Sequence, residues 1–458
     1  MEPLILLYCE RMCFLLSAFR DKPVVGIDVA SDSSMVAVLA PDGSQVMKPF
    51  KVPHTPKGFD RLLTVLKKQE ERFDSRPILA MESTGIYHLP LFLFLKSNDF
   101  QGFVLNPLSV HSTRNFEIRK VKNDPKDALS IARLAKYQPV KFSSMPEPGV
   151  FILRSLVRDR AALSDEFAGV QKKLQADLHL SFPGFATVFS HLSGKAAMAV
   201  LRRYPSPALI LEADTSELAK WIARIGHNGF DWGYEKVRLL REAAAMALAM
   251  PSGFSGLQSK FVFHLDRMRD LEASMAQLDQ MIKDQIDSPV MPGFIRRNIR
   301  LLESIPGISR ITAIALAAEI GDVSRFSSPK QLVAFLGLDP SVKQSGKFTG
   351  SRNKMSKRGS AVARRFLFIA AMCAAKKPLS DDSKSRVLYA FYCAKRETKP
   401  RKVAMVALMH KLTLYIFAVL RDQKEYEVRK PSEHDAWRIK KLRLHTVQDD
   451  LRSNSKAS

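Results

Sequence analysis

Four carboxylates are arranged so that they could share a divalent cation. Asp28 and Glu82 each close an apolar run, and Asp124 and Asp127 stand three residues apart in Asp124-Pro125-Lys126-Asp127. The i,i+3 spacing puts the last two on one helix face, where they repel unless a cation bridges them. Carboxylate oxygens are hard ligands that suit Mg2+, and paired ions of this kind can clamp the attacking and leaving oxygens of a phosphoryl transfer. A plainer role competes at each position. Asp124 makes a suitable N-cap with Pro125 in the first helical turn, Asp28 a turn residue, and Glu82 the start of a strand-to-helix connection with hydroxyls at Ser83 and Thr84.

A second group of residues is basic. Between Lys343 and Arg365 the chain has eight Lys or Arg and no acid, interleaved with Ser345, Gly346, Thr349, Gly350, Ser351, Ser356 and Gly359. A loop of this kind can embrace a backbone phosphate, and a serine in it can attack phosphorus if cations stabilise the pentacovalent charge. The competing role is a solvated nucleic-acid-binding loop without catalysis. Upstream, Ile305-Pro306-Gly307-Ile308-Ser309 joins two apolar helical stretches. It is either a helix-hairpin-helix, whose turn amides around Gly307 hold a phosphate with no base preference, or a simple helix corner in a core.

The charge balance favours a polyanionic partner. Lys and Arg number 71 against 46 Asp and Glu, a net charge of +25 and a pI near 9.9. Such a field attracts nucleic acid first and an anionic membrane surface second. With 458 residues, 46% of them hydrophobic, the chain can bury more than one core, which excludes wholesale disorder and predicts about two or three domains. Cys9, Cys13, Cys373 and Cys393 have neither zinc-finger nor paired spacing, so they read as reduced thiols. The opening Met1 to Arg20 is apolar but interrupted by Glu10 and Arg11, and predicts an extra amphipathic helix or an upstream start, with Met12 as the alternative first residue. No later segment is apolar without interruption for the length of a membrane span, so no membrane role is expected.

The elements that must position these groups follow from periodicity. Val24 to Ala30 predicts a buried strand ending in Asp28, with Ser34 to Leu39 as its hairpin partner. Gly58 to Lys68 has helical spacing, Ile78 to Met81 is a strand that stops at Glu82, Phe103 to Leu105 is a short strand, and Asp124 to Tyr137 a helix. Alternating strands and helices predict an α/β layer. Phe151 to Leu180 and Leu257 to Ile286 repeat apolar residues at steps of three and four, which predicts two long helices forming an antiparallel arm or coil. The stretch 183–251 between them reads as a small helical insertion with no assigned chemistry. A third region runs from about Leu301 to Arg421, followed by a charge-rich tail expected to be disordered at its end.

These segments together resemble insertion-sequence transposases of the IS-one-ten family, the DEDD transposases. The resemblance is carried by Gly26-Ile27-Asp28, Met81-Glu82-Ser83-Thr84-Gly85, Lys122 to Ala128, Ile305-Pro306-Gly307-Ile308, Phe335-Leu336-Gly337-Leu338, Gln344-Ser345-Gly346-Lys347 and Ser356-Lys357-Arg358-Gly359. It extends over roughly residues 22–420, with 183–251 its least family-like part.

The resemblance implies an α/β ribonuclease H/RuvC-like amino-terminal domain whose Asp28, Glu82, Asp124 and Asp127 bind Mg2+. It also implies a long antiparallel helical arm, and a mostly α carboxy-terminal transposase domain that supplies a serine nucleophile. That serine falls at Ser345, with Ser351 and Ser356 as neighbouring alternatives. Gly307, Lys343, Lys347, Arg352, Lys354, Lys357 and Arg358 are then the nucleic-acid contacts. The expected activity is site-specific recombination of double-stranded DNA guided by a structured bridge RNA. The expected assembly is a homodimer or homotetramer with active sites composed from two subunits, in the bacterial cytoplasm at the nucleoid. The expected boundaries are an extension 1–21, the catalytic domain 22–145, the arm with its insertion 146–295, the transposase domain 296–421 and the tail 422–458. The alternatives are a metal-dependent junction nuclease that uses water, and a catalytically inactive nucleic-acid-binding protein.

Overall fold

A computed structural model describes residues 21–82, 86–100, 102–105, 124–137, 142–143, 147–248, 257–340, 344–345, 348–349, 354–378 and 385–427. The expectations for the first twenty residues and for the end of the tail lie outside them, as do Cys9 and Cys13. The chain divides into two compact units, 1–145 and 146–458.

The first unit is a mixed sheet covered on both faces by helices. Its strands are β1 (Val24–Val29), β2 (Ser33–Leu39), β3 (Phe50–Pro53), β4 (Ile78–Glu82), β5 (Gly102–Leu105) and β6 (Phe142–Ser143), in the order β3-β2-β1-β4-β5-β6. β1 and β2 form the expected hairpin, β3 and β6 pair antiparallel at the two edges, and β1, β4 and β5 run parallel at the centre. β3 and β6 are not evident in the sequence, because the β3 segment is bounded by Pro49 and Pro53 and the two residues of β6 leave no alternation.

Side chains alternate across a strand, so each strand feeds two cores. Val25, Ile27, Val29, Leu79 and Met81 pack with Leu62 and Leu66 of α1 (Pro56–Phe73) and with Leu91 and Leu95 of α2 (His88–Ser97). Val24, Leu39, Ala80 and Leu105 pack with Ile131, Ala132, Leu134 and Ala135 of α3 (Asp124–Tyr137). Thr55 caps α1 by accepting from the Gly58 amide, and Pro56 occupies the first helical position.

The second unit is helical. Its two longest helices, α4 (Pro148–Ser181) and α10 (Leu257–Asp287), pack along each other. Ion pairs Arg160–Asp279, Arg267–Glu166 and Lys260–Asp177 descend one helix as they ascend the other, so the two are antiparallel as the sequence predicts. Between them come α5 (Phe185–Val188), α6 (Lys195–Arg203), α7 (Pro207–Glu212), α8 (Thr215–Gly226) and α9 (Phe230–Leu248). These close a core of their own on the adjoining halves of the long pair, built on Leu174, Leu178, Phe182, Phe185, Phe261 and Leu265.

The other halves of the pair, through Val150, Leu153, Val157, Ile282 and Ile286, belong to a second core. That core is shared with α11 (Gly293–Glu303), α12 (Arg310–Ile320), α13 (Pro329–Phe335), α14 (Ala361–Ala374), α15 (Arg386–Thr398) and α16 (Arg401–Asp422). A two-stranded ribbon of β7 (Gln344–Ser345) and β8 (Phe348–Thr349) lies within the stretch expected to be loop. By length and apolar composition α16 alone among the described helices matches a membrane span, although its apolar run is interrupted by polar residues. More than half of that apolar window is buried inside the protein, among it Leu408, Leu412, Ile416 and Phe417.

Candidate active site

Asp28, the penultimate residue of β1, and Glu82, the last of β4, lie at the same end of neighbouring parallel strands. The last in-register pair is Ile27 with Met81, and each acid is the next residue on its strand. Because odd-numbered β1 and β4 residues enter the core with α1 and α2, alternation turns Asp28 and Glu82 to the face covered by α3. Both are partly buried.

α3 crosses that face in direct contact with β1. A Cβ on Gly26 would stand 2.2 Å from the Ala128 carbonyl oxygen and 2.4 Å from the Ala132 nitrogen. Only the absence of a side chain at Gly26 allows this approach. At the other end of the helix, buried Lys136 donates from Nζ to the Lys22 carbonyl at 3.1 Å. Burial lowers the pKa of this ammonium. The two contacts fix α3 antiparallel to β1, so its first turn lies at the end of β1 that bears Asp28. Asp127, beside Ala128, is buried with 8% exposure, and Asp124 is exposed.

Asp28, Glu82, Asp124 and Asp127 are thus drawn to one end of the unit. Their oxygen donors suit a hard cation such as Mg2+. Among the described residues, no three His, Cys, Asp or Glu side chains close on one point tightly enough to hold a metal ion.

The serine-bearing segment belongs to the second unit. Ser345 pairs with Phe348 in the ribbon. Lys343, Lys347, Ser351 and Arg352 lie outside the described residues, whereas Lys354, Lys357 and Arg358 are exposed. The segment is closed at its base by a clasp. The Ser356 hydroxyl donates to Asp339 Oδ1, the Ser356 amide donates to the Asp339 carbonyl at 2.8 Å, and Pro340 bridges Met355. Next to the clasp, the Lys357 amide donates to the Gly337 carbonyl at 3.0 Å, with Lys357 at φ +55° and Gly337 at φ +67°. A Cβ on Gly359 would stand 1.9 Å from the Phe335 carbonyl oxygen. The two motifs Phe335 to Leu338 and Ser356 to Gly359 are therefore the two sides of one interlocked stem.

Two of the eight basic residues counted in this segment are engaged by other parts of the fold. Arg364 donates to the Leu336 and Gly359 carbonyls at 3.2 and 2.7 Å, and burial lowers its pKa. Arg365 donates to the Ala161 carbonyl and pairs with Asp165 at 2.7 Å, tying α14 to α4.

Gly307 sits in the turn from α11 to α12 at φ +87°, and a Cβ there would stand 2.5 Å from the Ala370 carbonyl oxygen on α14. Close packing against α14 is enough to require glycine. Ser309 caps α12 by accepting from the Thr312 amide.

Gly26, Lys136, Asp339 and Arg364 carry no signal of their roles in the sequence. Each works through a partner far along the chain, and the nearest hint is the small residue at Gly26 inside an apolar strand.

Two transposase family models match the chain. One, described as a transposase with the DEDD and IS110 designations, matches residues 25–183, and one described as transposase IS116/IS110/IS902 family matches residues 299–387. An insertion element IS110 protein of Streptomyces coelicolor is 24% identical over 89% of this chain and 96% of its own length. A transposase for insertion sequence element IS1111A of Coxiella burnetii is 30% identical over 34% of this chain and 42% of its own. Among solved structures, T. thermophilus RuvC in complex with a Holliday junction substrate matches 27% of this chain and 99% of its own at 15% identity, with a TM-score of 0.20. The first model takes in the sheet and the first long helix, the second the helices from α11 to α14, and together they span more than half the residues, while the Streptomyces relative aligns nearly end to end; the chain belongs to the IS110 family of insertion-sequence transposases.

Proposed function

We propose that this protein cleaves and rejoins DNA through a four-carboxylate site in its first unit and a serine carried by its second. The observation that supports this reading most strongly is that Asp28, Glu82, Asp124 and Asp127 all lie toward one end of the first unit, although no three of them close on one point. This placement is imposed by the β1–β4 register and by the contact of α3 with Gly26. The strand order 3-2-1-4-5 with β2 reversed supports a ribonuclease H/RuvC-like assignment for this unit.

Asp28, Glu82, Asp124 and Asp127 would hold Mg2+, which when bound supplies charge stabilisation at the scissile phosphate. Ser345 is the proposed nucleophile, supported by its position on the ribbon beyond the Asp339–Ser356 clasp, in a basic surrounding. Its hydroxyl oxygen would bond to phosphorus as the bond to the departing deoxyribose oxygen breaks, and the proton leaves the hydroxyl as the new bond forms. The leaving 3′ or 5′ oxygen takes up a proton, and the covalent serine–phosphate is later released by attack of a DNA hydroxyl. Lys343, Lys347, Arg352, Lys354, Lys357 and Arg358 would offset charge on phosphate.

Duplex DNA is the proposed substrate and a structured bridge RNA the second partner, both supported by the +25 charge. The acids and the serine belong to separate compact units, and the proposed assembly is a homodimer or homotetramer in which one subunit supplies the acids and another the serine. The test is cleavage of a DNA spanning the element junction, with Mg2+ present. Asp124→Ala should lose several kcal/mol of transition-state stabilisation, roughly a thousandfold in rate or more, while duplex binding persists. Unchanged cleavage in Asp124→Ala would remove the carboxylates from the mechanism.

A further inference from the structure

The turn joining α15 to α16 is a dense, exposed block of positive charge. Lys395, Arg396, Lys399, Arg401 and Lys402 fall within eight residues, all are exposed, and Glu397 is the one acid among them. No ion pair joins any of the five to a carboxylate among the described residues. The arm behaves differently, with Arg160, Arg267 and Lys260 each matched by an acid across the helix pair.

The turn is also held in shape. Arg396 donates to the Lys399 carbonyl at 3.1 Å, and the Lys395 ammonium rides 5.6 Å above the Phe391 ring. Leu388 below it and Met405 and Leu408 beyond it are buried in the core of the unit. Five unneutralised cations on a rigid support repel one another, and that cost is recovered when they face a polyanion.

The position of the turn relates it to the serine ribbon. The last turns of α14 pack on Gly307, and the end of α16 is fastened nearby, through Gln423 to Asn298 at 3.0 Å and the Tyr426 amide to Ser304 at 2.8 Å. α14 and α16 therefore run away from the same α11–α12 turn. At its far end α14 carries the Ser356–Gly359 stem, and at its own far end α16 carries the basic turn.

We infer that the α15–α16 turn is a second DNA contact, gripping the sugar-phosphate backbone of the duplex outside the stretch where cleavage occurs. It rests on the DNA-processing reading above, and it lies beyond the residues 299–387 matched by the transposase model. The contact is to phosphates, so it adds affinity and register without base preference.

The test is fluorescence anisotropy of the full chain on a labelled DNA duplex over a salt series, without divalent ions, so that catalysis plays no part. Each phosphate that is no longer neutralised should lower the slope of log K against log salt by about 0.9. The triple variant K399Q/R401Q/K402Q should therefore lose roughly two to three units of slope. The control K195Q/K220Q/R224Q on the insertion removes the same formal charge and should leave the slope unchanged. Overturning results are an unchanged slope in the first variant, an equal fall in both, or a fall seen only with duplex RNA. Loss of cleavage in Asp124→Ala is read separately, so failure of the grip and failure of the catalytic reading are distinguishable.

Discussion

The Ala128 carbonyl oxygen lies 2.2 Å from where a side chain on Gly26 would begin. Helix backbone rests directly on strand backbone, and this contact brings the first turn of α3 to the end of β1 that bears Asp28. Gly26→Ala should push the helix outward, costing about 1–3 kcal/mol as overpacking does, and should carry Asp127 away from Asp28. Urea unfolding and junction cleavage measure the two effects. Full stability and full cleavage in the variant would show that α3 does not depend on this approach.

The Ser356 hydroxyl donates to Asp339 Oδ1 at the base of the segment that contains Ser345. Ser356→Ala removes a hydrogen bond to a carboxylate, worth about 1.5–3 kcal/mol. The expected outcome is lower stability and faster proteolysis between residues 340 and 355, with covalent chemistry slowed but present. If stability is unchanged and the chemistry disappears, Ser356 and not Ser345 is the reacting hydroxyl.

Glu319 is 2% exposed and takes a bidentate pair of hydrogen bonds from Arg158 at 2.7 and 3.0 Å, linking α12 to α4. Arg158→Ala leaves the buried carboxylate without its bidentate partner, with only the more distant charges of Arg154 and Arg325 to offset it. Because the Arg158 side chain is itself half exposed, the expected cost is about 2 kcal/mol, below the range of a fully buried pair. Arg158→Ala with Glu319→Leu should recover most of that loss in thermal unfolding, and a double variant weaker than the single would contradict the stranded-charge explanation.

Phe182 and Phe185 are fully buried with ring centroids 5.2 Å apart, at the centre of the core that the insertion closes over the long helices. Phe182→Ala should cost about 3–5 kcal/mol. The loss should appear first as faster hydrogen exchange in α5 to α9, while α11 to α16 keep their protection. Uniform loss across the unit would mean the two cores unfold together.

The sequence carries the elements whose periodicity is long. The strand pair around Asp28, the helix from Asp124 and the two antiparallel helices appear where the spacing of Val, Leu and Phe places them. Asp28 and Glu82 are legible because each closes an apolar run, and Asp124 and Asp127 because they stand three residues apart at the start of a helical pattern. The ribbon carrying Ser345 is not, since two-residue strands leave no alternation, and neither is the clasp, because Asp339 and Ser356 are separated by a glycine-rich, basic stretch that reads as solvated loop. Arg364 and Arg365 look like nucleic-acid contacts by composition. Their carbonyl and carboxylate partners, Leu336, Gly359, Ala161 and Asp165, become visible only once the helices are packed.

The central claim is that a serine of the second unit joins to DNA while the carboxylates of the first do their work. Denaturing electrophoresis of the purified protein with Mg2+, junction DNA and RNA transcribed from the element flank tests it most directly. The account predicts a covalent protein–DNA adduct in the unaltered protein that is absent in both Ser345→Ala and Asp124→Ala. Nicked DNA with no adduct would contradict it, and would point to metal-dependent cleavage by water.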